Sequence, residues 1–108
     1  MQSPETENTA SSPVDTAALL EEINSLVAQK AYKEADKKLD TYFEFASEKT
    51  DEALFLRGQI LEAESDIQDI KAAINAYSLL TKNYPASRYW NKANKRIIYL
   101  KRFYLEAR

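Results

Sequence analysis

Apolar side chains recur along this chain at spacings of three and four, the period of an α-helix turned towards a core. Leu19, Ile23, Leu26 and Val27 make the first stripe. Asp15 precedes it as an N-cap, with Val14 placed to staple against Leu19, so a helix is predicted from about Asp15 to Gln29. The second stripe is Tyr32, Ala35, Leu39, Tyr42 and Phe43, with Phe45 and Ala46 beyond, and predicts a helix from Tyr32 to about Ala46. Glu34 and Lys38 pair on it at i,i+4 in the favourable order, and the charged run from Lys33 to Lys38 reads as a solvated face.

After a linker, Ser47 to Thr50, a third helix is predicted to about Glu64. Thr50 is its expected cap, and Asp51 and Glu52 suit the positive end of the dipole in its first turn. The turn Ser65 to Gln68 leads to a fourth helix from near Asp69 to Asn83, with Ile70, Ala73, Ile74, Tyr77 and Leu80 on one face and Thr81 closing the stripe. Pro85 ends it and biases Tyr84 towards an extended backbone. Ser87 is the expected cap of a fifth helix, Arg88 to Glu106, about 28 Å long at 1.5 Å per residue. This helix has two stripes: Tyr89, Ala93, Ile97, Leu100 and Tyr104, then Trp90, Ile98 or Tyr99, and Phe103. A helix apolar over so much of its circumference needs more than one neighbour.

Residues 1–14 lack the apolar surface to offset the entropy of ordering. They read as a flexible tether, and residues 15–108 as one helical domain. Within that domain the only glycine, Gly58, falls inside the third helix. Glycine there costs about 1 kcal/mol relative to alanine, which implies a close helix approach. Gly58, then Ala73, Tyr77 four residues on, and Pro85 at the end form a tetratricopeptide-like pattern. Ala35 and Leu39 match Ala73 and Tyr77 at an offset of 38 residues, a few more than the period of about 34. The expected fold is all-α: a right-handed tetratricopeptide-like stack of about five antiparallel helices, two and a half repeats.

Composition agrees with this. One Gly and three Pro leave little material for hairpins. The absence of Cys and His removes thiol and imidazole catalysis, disulfides and the usual zinc ligands. Glu62, Glu64, Asp66 and Asp69 lack the glycine and alternating oxygens of a calcium loop. No serine sits in a nucleophile motif and no glycine-rich phosphate loop occurs. No enzyme activity, catalytic residue, cofactor, metal site or small-molecule substrate is therefore expected. No apolar run approaches the roughly 20 residues that span a bilayer.

Charge changes the picture at one end. Residues 1–87 carry a net −8 and residues 88–108 a net +6, within a total of −2. Three readings fit the basic aromatic helix. It solvates the end of a repeat array, it docks an acidic protein partner, or it binds nucleic acid or an anionic membrane. Nucleic acid is not the expected partner, since such domains are usually basic overall. The docking reading leads, because the helix is rich in Trp, Tyr and Phe with no following helix to cover them.

The stretch Leu79-Leu80-Thr81-Lys82-Asn83-Tyr84-Pro85-Ala86-Ser87-Arg88-Tyr89, followed by Ala93-Asn94-Lys95-Arg96-Ile97-Ile98-Tyr99-Leu100-Lys101, resembles the BamD family, tetratricopeptide lipoproteins of the outer-membrane β-barrel assembly machinery. Leu54-Phe55-Leu56-Arg57-Gly58 is similar to a helix motif of that family, and the resemblance covers about residues 31–105. It implies a non-enzymatic adaptor at the periplasmic face of the outer membrane, touching the membrane only through a lipid on an N-terminal Cys and holding the POTRA domains of a BamA-type protein. The family has five repeats; the remaining repeats and that Cys are not in this sequence. The Tyr-Pro-x-Ser-x-Tyr part is shared with CpoB-like division coordinators, so a cell-envelope scaffold, or a module for another acidic partner, is the alternative. The expected contacts are Arg88, Trp90, Lys92, Lys95, Arg96, Tyr99, Lys101, Arg102 and Phe103, with Arg96 foremost by its place in the motif.

Overall fold

The structure is a computed structural model that describes residues 14–106, with side chains described to Leu105. The expected tether at residues 1–14 lies, apart from Val14, outside the described residues. Five α-helices follow in order: α1 (Thr16–Ala28), α2 (Tyr32–Phe45), α3 (Thr50–Glu62), α4 (Ile70–Asn83) and α5 (Trp90–Leu100). A π-helical turn, Lys101–Glu106, continues α5. No strand occurs among the described residues. Each helix packs on the next, and α1 also reaches α3. The result is a tetratricopeptide-like helical stack of two hairpins and a fifth helix.

The stack turns on α3, which contributes to two cores. Ala53, Leu56 and Ile60 pack with Leu20 and Ile23 of α1 and Ala35, Leu39 and Tyr42 of α2. Leu54 and Phe55 pack with Ala73, Ile74, Tyr77 and Leu80 of α4 and Ala93, Ile97 and Leu100 of α5. A helix apolar on all sides belongs between layers, and α3 has six buried residues in thirteen. At Gly58 a side chain of α4 comes close: a Cβ there would stand 2.4 Å from Cε1 of Tyr77. The aromatic of α4 fills the place of the missing side chain.

The expected cap at Asp15 forms, and Asp69 caps α4 as well. Asp15 Oδ1 accepts from the Ala18 amide at 3.1 Å and Asp69 Oδ1 from the Ala72 amide at 3.0 Å. Two others do not. Lys49, left-handed at φ 57°, occupies the N-cap of α3, so Thr50 is already inside the helix. Ser87 stands two residues before the N-cap of α5, which is Tyr89. Its hydroxyl accepts from the Tyr89 amide at 3.0 Å and donates to Asp51 Oδ2 at 2.5 Å, so it ties the α4–α5 loop to the first turn of α3. The third helix also stops at Glu62 rather than Glu64, because Ala63 turns extended (ψ 147°) and the loop returns with the Asp69 amide donating to Leu61 O at 2.8 Å. After α1, Lys30 takes a left-handed φ of 64°. Its amide donates to Val27 O at 3.0 Å and that of Ala31 to Leu26 O at 2.8 Å, the Schellman closure of a helix end.

Candidate interaction face on the last helix

Successive residues of an α-helix turn by about 100°. Ala93, Ile97 and Leu100 therefore share one side of α5, and all three are buried against the core. Lys95, Ile98, Tyr99 and Arg102 fall on the far side, where no helix among the described residues covers them. Ile98 is 48%, Tyr99 47% and Phe103 58% exposed. These are large apolar side chains left in solvent within two turns, and a contiguous apolar patch of this kind marks an interaction site.

The patch is internally ordered. The rings of Tyr99 and Phe103 stack with centroids 5.5 Å apart and planes 9° apart. Tyr104 meets Phe103 edge-on at 4.9 Å. Lys95, Ile98, Tyr99, Arg102 and Phe103 line a shallow depression of about 450 Å³. Lys95, Lys101 and Arg102 are exposed, and no carboxylate among the described residues pairs with them. Cations and π-faces side by side, with the cations unneutralised, suit an acidic protein surface.

Four of the nine expected contacts thus meet in one place: Lys95, Tyr99, Arg102 and Phe103. Lys101 is exposed beside them in the π-turn, and Lys92 is exposed one turn before Lys95. The other three turn elsewhere. Trp90 is half-buried and its indole donates to Thr81 O at 3.0 Å, which fastens α5 to α4. The Arg88 guanidinium lies 5.5 Å from the centre of the Tyr89 ring. Arg96 is held by the protein's own Glu62: both its Nε, at 3.1 Å, and its Nη2 donate to that carboxylate. Its guanidinium also lies 4.7 Å from the Tyr99 ring centre.

Glu62 is the centre of a small network. Its Oε2 also accepts from the Tyr77 hydroxyl at 2.5 Å. Its side chain is 15% exposed and that of Arg96 39%. The hydrogen bond to Glu62 holds the Arg96 guanidinium above its ordinary pKa. Burial, and then the Glu62 hydrogen bond, push the Tyr77 phenol far above its own. The network lines a depression of about 400 Å³ on the face shared by α1, α3 and α5. Arg96 therefore braces α5 against α3 and α4, and it supports the exposed face from behind through Tyr99.

Ile98 and Tyr104 belong to the face but were not among the expected contacts. The signal for Ile98 was present, since an apolar residue opposite the buried Ala93–Ile97–Leu100 side has no core to enter. Tyr104 had no such signal, because α-helical spacing puts it on the buried stripe. The π-turn changes that spacing and leaves it 46% exposed.

Over residues 6–105 the chain matches the family YfiO, outer membrane lipoprotein. It is 35% identical over 89 residues, 81% of this chain and 17% of the relative, to an uncharacterised protein of Treponema pallidum (strain Nichols). It is 38% identical over 55 residues, 51% of this chain and 16% of the relative, to an uncharacterised protein of Borreliella burgdorferi (strain ATCC 35210). The chain spans about a sixth of the length of either relative. No solved structure matches it significantly.

Proposed function

The chain belongs to the YfiO family of outer membrane lipoproteins, and from that premise we propose that it is a non-enzymatic adaptor in the assembly of outer-membrane β-barrel proteins. It works at the periplasmic face of the outer membrane and docks the POTRA domains of a BamA-type protein. The docking surface is the far side of α5 with the π-turn: Lys95, Ile98, Tyr99, Arg102 and Phe103. The observation that carries this reading is the stacked, half-exposed Tyr99–Phe103 pair with cations around it that no described carboxylate neutralises. Aromatic and arginine side chains are enriched at the centres of protein interfaces, and paired charges around them set orientation and association rate. Arg96 acts behind this surface rather than on it.

The test is a titration of purified POTRA domains against the wild type and the Lys95→Glu and Arg102→Glu variants, with circular dichroism to confirm the fold. Each variant is expected to bind about tenfold more weakly or worse, a change of ~1.4 kcal/mol. Equal affinity in both would reject this face. A wild type that ignores POTRA domains, and recovers division or peptidoglycan factors from envelope extracts instead, would replace the assembly role with an envelope scaffold.

A further inference from the structure

Glu62 does not line the exposed face of α5, yet that face is tied to it. It ends α3, its side chain is 15% exposed, and it opens on the depression shared by α1, α3 and α5. Its orientation comes from the core. The Tyr77 ring is wholly buried beside Gly58, and its hydroxyl donates to Glu62 Oε2 at 2.5 Å. The carboxylate so placed accepts from both Nε and Nη2 of Arg96, one on each oxygen. Two parallel bonds of this kind fix the plane of a guanidinium as well as its place.

The guanidinium held in this way lies 4.7 Å from the Tyr99 ring centre, and the Tyr99 ring stacks on Phe103 at 5.5 Å with 9° between planes. Arg96 stands three residues before Tyr99 and Phe103 four after it, so both reach its ring from neighbouring turns. Tyr99 is 47% and Phe103 58% exposed, and the core does not hold rings so open. A half-exposed ring loses rotamer freedom when a partner settles on it, which weakens binding; a ring already held in place loses less. A lysine at position 96 could answer the charge of Glu62, but it has neither the fork nor the flat face. We infer that Glu62 is a positioning residue for the docking surface: it holds Arg96 against Tyr99, and through Arg96 it sets the Tyr99–Phe103 stack in the orientation a partner meets. The inference rests on the proposed docking surface, while the ring geometry it invokes belongs to the free protein.

Ring-proton chemical shifts of Tyr99 and Phe103, measured by NMR on the whole chain, test this without a partner. Glu62→Gln keeps the shape of the side chain and removes its charge. In this variant both rings are expected to lose the shifts that each induces in the other. Arg96→Lys should do the same, and it carries the test should Glu62→Gln fail to fold by circular dichroism. Tyr77→Phe leaves the Glu62–Arg96 pair in place and should leave the rings as in wild type. Titration with POTRA domains is the second readout. Glu62→Gln should bind about two- to tenfold more weakly, the cost of ordering one or two side chains, and the loss should vanish in a Tyr99→Leu background. Unmoved ring shifts in a folded Glu62→Gln, or an equal loss of binding in both backgrounds, would overturn the inference. A wild type that ignores POTRA domains would reject the partner reading alone, and the ring shifts would then decide the role of Glu62.

Discussion

The Tyr77 ring occupies the space that a side chain on Gly58 would need, with Cε1, Cζ and Cδ1 all within 2.7 Å of where a Cβ would stand. Tyr77 itself is wholly buried and its hydroxyl is held by Glu62, so the ring has little freedom to move aside. The contact between α3 and α4 is thus set by one absent side chain and one aromatic.

Gly58→Ala should therefore destabilise the fold by about 1–3 kcal/mol, although alanine is the better helix former. Denaturant unfolding measures it. In the double variant with Tyr77→Leu the two costs should be less than additive, because the smaller side chain relieves the clash. Full additivity would show that the ring is not what the new methyl meets.

Arg96→Ala should cost about 1–3 kcal/mol, the penalty for stripping a partner from a largely buried charged group. Arg96→Glu should cost more, since it sets a second carboxylate against Glu62. Thermal unfolding of both variants decides this. A melting temperature unchanged from wild type in Arg96→Glu would mean that the pair contributes nothing to the fold and would return Arg96 to the list of free contacts.

Stability should fall in alkali. Burial raises the Tyr77 phenol first and the Glu62 hydrogen bond second, and burial followed by nearby Glu48 raises Tyr42. The unfolded phenols lose their protons near pH ~10 while the folded ones keep them. Above that pH the unfolded state binds fewer protons, so the unfolding free energy declines as pH rises; below it the contribution is fully present. Denaturation curves on either side of pH ~10 should show the decline, and Tyr77→Phe should make it shallower.

Lys30→Gly should stabilise the protein, by up to about 1 kcal/mol. A left-handed conformation costs a non-glycine residue roughly 1–2 kcal/mol, and glycine's extra chain entropy cancels about 0.5–1 of that. Chemical denaturation would register the gain. A loss instead would mean that the Lys30 side chain holds the α1–α2 turn in some other way.

Five helices, the early ones within a residue or two of their ends, were legible because each depends on local rules. Period, capping by Asp15, and the stop at Pro85 act over a few residues. Gly58 announced a close approach because glycine inside a helix has a cost that something must offset. The sequence also marked the basic aromatic helix as the place to look for a partner. The ends that slipped were those decided from a distance. Ser87 serves Asp51, thirty-six residues away, rather than acting as the simple cap of α5.

Only the tertiary structure separated the cations of that helix. Arg96 and Lys95 are neighbours in sequence, yet one turns inward to Glu62, thirty-four residues back, and the other faces solvent. Spacing along α5 can sort residues by side, but it cannot say that Glu62 lies within reach of one of them. That depends on how α3, α4 and α5 close around Tyr77. The π-turn likewise moved Tyr104 from the expected buried stripe to the surface, because its different number of residues per turn breaks the α-helical register on which the prediction stood. Local periodicity decided which residues share a face; packing between distant helices decided which of those faces remained open.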